Sequence, residues 1–112
     1  MKTTISLVAL AATLAGANLP AEAGEPGDAF RGNAYAQGMC GSCHSITADA
    51  SPSPNLAATP FQKVTLTFAS GDEFAAWFNS KHPPTPNSLI TSNQASDIAS
   101  YIASLKSGSA PK

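Results

Sequence analysis

The chain contains few of the residues that commonly build metal and cofactor sites. Its 112 residues include two cysteines and two histidines, and only 12% of them are charged. The formal net charge is −1 and no run of like charge occurs, which argues against a nucleic-acid-binding stripe and a basic membrane-binding face. We identify no internal repeat and predict no β-strand. The sequence therefore indicates a small all-α protein whose chemistry depends on very few side chains.

The first 23 residues have the features of an export signal. Lys2 supplies a positive charge, residues 5–15 are mostly apolar, and Ala-Glu-Ala at residues 21–23 forms an A-x-A cleavage site. The apolar segment is well short of the roughly 20 residues that span a bilayer. We therefore expect a cleaved signal peptide over residues 1–23 and one periplasmic domain over residues 24–112, with no membrane insertion after cleavage.

Both cysteines belong to one short motif, C-G-S-C-H at residues 40–44. The spacing C-x-x-C-H is typical of covalent haem attachment, in which two thiols add to the haem vinyl groups as thioethers and the next residue binds the iron. We predict that Cys40 and Cys43 hold one haem c and that His44 is a ligand of its iron. The free ring nitrogen of His44 is expected to donate to a backbone carbonyl, with Pro54 or a neighbour as the acceptor.

Three other interpretations explain this motif less completely. A structural zinc ion needs four ligands, and His82 is the only further candidate of that kind in the chain. A thioredoxin-like redox pair belongs to a βαβ unit, for which the domain is too short and too rich in loops. A disulfide would explain both thiols but gives no reason for His44.

Capping residues and apolar spacing predict four helices. The first starts after Asp28 and runs to about residue 37, with Gly38 at its end, and Gly32 inside it costs about 1 kcal/mol relative to alanine. A second helix crossing closely at Gly32 would account for that glycine. The other helices are expected at about residues 60–68, 71–79 and 92–106, each after a threonine or serine cap.

The last two predicted helices have clear apolar faces. In the helix at 71–79, Phe74, Trp77 and Phe78 share one face, where Trp77 is either a core aromatic or a donor to a haem propionate. In the final helix the apolar stripe consists of Ala95, Ile98, Ala99, Ile102 and Leu105. Loops are expected over residues 47–59 and 81–89, and three prolines stiffen the second loop.

Residues 24–112 resemble a small bacterial class I cytochrome c over nearly their whole length. The resemblance is carried by the C-G-S-C-H motif after a helix with an internal glycine, by Pro54-Asn55-Leu56, and by the closing apolar run at residues 98–105. In that family the proline carbonyl of the P-N-L stretch accepts from the axial histidine. The resemblance implies a cytochrome c-like fold, with four to five short helices and long loops wrapped around one covalently attached haem.

One departure from the family pattern concerns the sixth ligand of the iron. Relatives carry a methionine before a proline in the second loop, and the corresponding position here is Thr85. Met39 adjoins the attachment motif, and Met1 leaves with the signal peptide, so neither replaces it. His82 is one candidate ligand, and an open or water-bound site is another. Weaker candidates are Lys81, Asn79 and Asn87.

The expected function is electron transfer. The protein would be a monomer and not an enzyme, and it would meet a donor and an acceptor redox protein through a small, transient patch. The alternative is a haem protein whose open or weakly ligated distal site binds NO, CO or O2. Peroxidatic turnover ranks below both, because only His82 offers acid–base chemistry, and a role as subunit of a larger oxidoreductase stays open.

Overall fold

The computed structural model describes residues 27–49, 51–83 and 89–111. Within these ranges the protein has no β-strand, which confirms the all-α class. Its α-helices are α1 (Ala29–Met39), α2 (Gly71–Lys81) and α3 (Ser92–Ser107), and one turn of 3₁₀ helix covers Phe61–Lys63. None of these helices has the length and apolar character needed to cross a membrane. The predicted signal peptide and Thr85 lie outside the described residues.

The first two α-helices begin at the predicted caps. The Asp28 carboxylate accepts a hydrogen bond from the Arg31 backbone N–H at 2.9 Å, and the Ser70 hydroxyl accepts from the Glu73 N–H at 3.2 Å. Each bond satisfies a backbone donor that has no partner within the helix. The prediction that Gly38 ends α1 is wrong, because the helix includes it and continues to Met39, and α2 continues past the predicted end to Lys81.

Helix α3 follows its predicted pattern at both ends and along its buried face. Thr91 and Gln94 form a reciprocal capping box at the N-terminus. Gly108 ends the helix with φ 74°, a left-handed conformation that glycine adopts without a steric penalty. The predicted stripe lies in the core, where four members are buried and Ala99 is half-buried.

Helices α1 and α3 cross at Gly32, as the sequence predicts. A methyl group at Gly32 would overlap the backbone carbonyl of Asp97 and crowd the Cβ of Tyr101. Beside this contact the Asp97 carboxylate, only 4% exposed, accepts from Arg31 Nε at 3.0 Å and from the Asp28 backbone N–H at 2.8 Å. The absence of a side chain at Gly32 therefore allows the two helix backbones to meet.

Helix α2 packs on the N-terminal half of α3. Its first residue, Gly71, lies against the Ser92 carbonyl and the Ser96 hydroxyl, again with no room for a methyl group. The predicted aromatic face of α2 is present, since Phe74 is in ring contact with both Trp77 and Phe78.

The hydrophobic core draws its buried residues from all three α-helices, the 3₁₀ turn and the chain before α3. These residues are Ala36, Cys40, Phe61, Phe74, Ala75, Phe78, Ile90, Ala95, Ile98, Tyr101, Ile102 and Leu105.

The helix predicted for residues 60–68 is wrong beyond its first turn. After Phe61–Lys63 the backbone becomes extended at Val64, with φ −71° and ψ 130°. β-branched residues lose side-chain freedom in a helix, and this segment is rich in them. Instead, half-buried apolar residues alternate with exposed threonines, which is the pattern of an extended chain lying along the core. The half-buried members are Val64, Leu66 and Phe68.

Candidate functional site

The C-G-S-C-H motif forms a helical turn that continues from α1. The Cys40 N–H donates to the Ala36 carbonyl at 2.9 Å, and the Cys40 carbonyl accepts from the N–H groups of Cys43 at 3.1 Å and His44 at 2.9 Å. In helical geometry, residues three and four apart lie on the same face. Cys40, Cys43 and His44 accordingly line one cavity, so the structure brings together all three side chains predicted to bind the cofactor.

The two thiols have different surroundings and are not joined by a disulfide. Cys40 is 8% exposed and Cys43 is half-buried. Burial, and to a lesser extent the charge of Cys43, raises the pKa of Cys40 to about 11. Redox-active C-x-x-C pairs lower the pKa of their attacking thiol instead. The environment of Cys40 is therefore unlike that of a thiol–disulfide exchange site.

The backbone after the motif is fixed by three hydrogen bonds from different parts of the chain. The Ser45 N–H donates to the buried Ser53 hydroxyl at 3.0 Å, and the Ser45 carbonyl accepts from the Phe61 N–H at 2.8 Å. The Tyr101 hydroxyl of α3 donates to the Ile46 carbonyl at 2.5 Å. One loop residue, one residue of the 3₁₀ turn and one residue of α3 thus hold the two residues that immediately follow His44.

The His44 ring is oriented by the carbonyl of Thr59. Its Nδ1 lies 2.6 Å from the Thr59 oxygen, and because a carbonyl can only accept, Nδ1 carries the hydrogen. Nε2 is then left with its lone pair free to bind a metal. The ring also packs 5.3 Å from the Phe61 ring, measured between centroids.

The acceptor is therefore neither Pro54, which the resemblance implied, nor an immediate neighbour of Pro54, which the sequence also allowed. Leu56, in the same Pro-Asn-Leu stretch, is 87% exposed instead of packed beside the site. In this loop the Asn55 N–H donates to the Cys43 carbonyl at 3.1 Å, and the His44 ring is bonded at Thr59. Pro60 was a usable signal, because the residue before a proline favours an extended backbone whose carbonyl stays outside a helix.

His82 lies on the same cavity as the attachment motif. It caps the C-terminus of α2, and its ring stacks on Phe78 at 4.4 Å and meets Trp77 edge-on at 5.6 Å between centroids. Its Nδ1 lies 2.9 Å from the Pro83 carbonyl oxygen. The centroids of the His82 and His44 rings are 6.0 Å apart. The two histidines of the chain are thus neighbours although 38 positions separate them in the sequence.

The cavity between these side chains is mainly apolar. It has a volume of about 370 Å³, which is within the range of small-molecule sites. Trp77 lines the cavity and its ring contacts those of Phe68 and Phe74, but at 37% exposure it lies outside the buried core, so the prediction of a core aromatic is wrong. The larger aliphatic and aromatic residues of the cavity wall include Met39, Phe61, Val64, Leu66, Phe74, Phe78, Ile90, Ile98 and Ile102.

The donor set of the cavity suits a flat, apolar cofactor better than a tetrahedral ion. In the described parts of the chain, no three of the His, Cys, Asp and Glu side chains are grouped closely enough to hold one metal ion. Such a group is what a structural zinc site requires. Two thiols at the edge of a cavity with apolar walls, and two imidazoles with free Nε2 atoms, fit a covalently attached haem.

The other candidate ligands named from the sequence have different surroundings. The Asn79 amide donates to the Ile90 carbonyl and accepts from the Ile90 N–H, both at 2.9 Å, so it joins α2 to the chain before α3. Lys81 is exposed at the end of α2. Thr85 and Asn87 lie outside the described residues.

Comparison with known proteins gives no assignment, since no family model, curated protein or solved structure matches the chain.

Proposed function

We propose that the protein is a periplasmic monohaem c-type cytochrome that carries single electrons. In this proposal the helices and loops adopt a cytochrome c-like fold around one haem, attached through Cys40 and Cys43, with His44 as an iron ligand. The observation that carries the proposal is the shared position of these three side chains on one apolar cavity, with His44 Nδ1 already bonded to a carbonyl.

Cys40 and Cys43 would anchor the cofactor by thioether formation. Each sulfur would bond to one carbon of a vinyl group and the thiol hydrogen would go to the other carbon, so that the carbon–carbon double bond would become single and no oxidant would be consumed. Both thiols are available for this addition, since they are not paired in a disulfide. The helical turn fixes their separation through the hydrogen bonds to the Cys40 carbonyl.

His44 would bind the iron through Nε2 and keep one ring orientation. The Thr59 carbonyl fixes both its tautomer and its orientation. The haem supplies a centre that accepts and releases one electron. The apolar wall around His44 restricts water, which is one of the ways a protein sets a redox potential.

The rigidity of the site favours a carrier over a binder of exchangeable ligands. Hydrogen bonds at Ser45 and Ile46 secure the chain beyond His44, and Phe61 packs on its ring. A ligand held in this way need not move when the iron changes oxidation state. Partners would be a donor and an acceptor protein that dock transiently, as small redox interfaces do.

The experiment that tests this role is voltammetry of the exported holoprotein combined with spectra of both oxidation states. An electron carrier is expected to give one reversible one-electron couple and to stay low-spin on reduction. A change of spin state on reduction, with rapid uptake of CO or NO by the ferrous form, would instead identify the small-ligand binder. The matched control is His44→Ala, which keeps both thiols and removes the proposed iron ligand.

A further inference from the structure

We infer that His82 is the second axial ligand, so that the iron is held between two histidines. The inference rests on the proposed function, because it concerns the same haem. It depends on the juxtaposition of His44 and His82 across one cavity, on the hydrogen bonds that both rings make, and on the aromatic contacts that fix the second ring.

The distance between the two rings matches the span of a bis-histidine iron. An imidazole nitrogen lies about 2.0–2.1 Å from a bound transition metal, and the centre of a five-membered ring lies about 1.1 Å from its nitrogen when the bonds are about 1.33 Å long. Two such rings on opposite sides of one ion have centroids roughly 6.3 Å apart. The observed centroid distance is 6.0 Å.

The angle between the rings is also compatible with this arrangement. The His44 and His82 planes are inclined at 34°. Each ring of an axial pair can rotate about the ligand–iron axis, so no particular angle between the two ring planes is required.

Both rings present the same nitrogen. The Pro83 carbonyl can only accept, so its contact of 2.9 Å with His82 Nδ1 places the hydrogen on that atom, as the Thr59 carbonyl does for His44. Each imidazole is therefore left with Nε2 as its lone-pair donor. Metal-binding histidines commonly use their second nitrogen in this way.

The position of His82 is fixed by α2. The helix ends at Lys81 and the next residue is the cap, so the ring follows directly from a regular element. Phe78, one turn earlier, stacks on the ring at 4.4 Å with an interplanar angle of 18°, and Trp77 meets its edge. A ligand placed by a helix and two aromatic rings is held more precisely than one on a free loop.

The described competitors are less well placed. Asn79 uses both atoms of its amide on Ile90, and its transfer to iron would break two hydrogen bonds. Lys81 is exposed and does not line the cavity. Met39 lines the cavity but comes immediately before Cys40, on the attachment side.

A histidine at this position has two consequences. First, it closes the iron to exogenous ligands, so CO must displace His82 in order to bind. Second, it gives the haem a lower reduction potential than a methionine thioether would, because a thioether favours Fe(II). The expected wild-type holoprotein is low-spin in both oxidation states. If the iron is open for a tenth of the time or less, removal of His82 tightens CO binding about tenfold or more.

The experiment compares holoprotein of wild type, His82→Ala and Lys81→Ala by absorption and electron paramagnetic resonance, with CO titration of the ferrous forms. His82→Ala is expected to become high-spin and to return to low-spin when imidazole is added. Lys81→Ala, the neighbouring control, is expected to match wild type. Low-spin spectra of His82→Ala without imidazole, or a high-spin wild type, would overturn the inference.

Two further measurements keep the inference testable if His82→Ala does not accumulate. Near-infrared magnetic circular dichroism of ferric wild type identifies the ligand pair without a substitution, and any pair other than two histidines would contradict the inference. His82→Met retains a ligand and is expected to raise the reduction potential.

Covalent haem content is measured on the same samples. Wild-type protein without haem would refute the proposed function itself, whereas haem-containing protein with another axial ligand would refute only the role of His82.

Discussion

Gly32 of α1 lies directly against the backbone carbonyl of Asp97 in α3. The same crossing buries the Asp97 carboxylate, which binds the Arg31 side chain and the Asp28 backbone. The turn that carries both cysteines continues from α1 through the hydrogen bond between Cys40 and Ala36. The placement of the attachment motif therefore depends on this contact between the two helices.

Gly32→Ala is expected to destabilise the protein by about 1–3 kcal/mol, the usual cost of inserting a methyl group into a packed contact. The alanine would meet backbone atoms of Asp97, which cannot rotate away. Thermal or denaturant unfolding measures the effect. Gly38→Ala is the matched control in the same helix, because a methyl group there meets nothing within 4 Å. It is expected to be neutral or stabilising by up to about 1 kcal/mol. Equal effects at both positions would contradict the crossing.

Tyr101→Phe removes the hydroxyl that donates to the Ile46 carbonyl. The expected loss is about 1–2 kcal/mol, since the variant keeps the buried ring and leaves the carbonyl without that donor. Denaturant unfolding measures the difference. Tyr35→Phe, which removes the hydroxyl of a half-buried tyrosine, is the control and is expected to lower the free energy of unfolding by less. A loss at Tyr35 as large as that at Tyr101 would contradict the role of this bond.

The Tyr101 hydroxyl also predicts a pH dependence. Burial raises the pKa of Tyr101 above its ordinary value, which is about 10 in an unfolded chain. The folded state thus retains this proton where the unfolded state has released it. The contribution of the Tyr101 hydroxyl to the free energy of unfolding is therefore fully present below about pH 10, and it is lost as the pH rises through the folded-state pKa. Wild-type stability should fall more steeply than that of Tyr101→Phe above about pH 10. Parallel curves would show that Tyr101 makes no such contribution.

Ser53→Ala tests the support of the residue that follows His44. Ser53 is buried, and its hydroxyl accepts from the Ser45 N–H at 3.0 Å. Its loss leaves a buried donor unsatisfied, at an expected cost of about 1–3 kcal/mol in unfolding free energy. Ser51→Ala, in the exposed part of the same loop, is expected to change stability by less than about 0.5 kcal/mol. Similar losses for both variants would contradict the proposed support.

Local signals in the sequence were sufficient to place the starts of the three α-helices. Asp28, Ser70 and Thr91 cap them as predicted, because a capping side chain acts on a backbone donor only two or three residues away. The crossing at Gly32 was also predictable, since a glycine inside a helix needs a packing reason.

The path of the loops was not predictable in the same way. The segment after Lys63 is extended and lies along the core, and the carbonyl that orients His44 comes from Thr59 instead of Pro54 or a neighbour. The proximity of His82 to His44 depends on the packing of α2 against α3. Local signals, the alternation at residues 64–68 and Pro60, indicate an extended backbone, but they do not indicate which distant residue that backbone will contact.

The central claim is that Cys40 and Cys43 hold a haem covalently. Its most direct test is the intact mass of the exported protein under denaturing conditions, with Cys40→Ala/Cys43→Ala as the control. The account predicts residues 24–112 plus the mass of one haem, with the red colour retained after denaturation and no added mass in the double variant. A wild-type mass without haem, from a host that matures other c-type cytochromes, would contradict it.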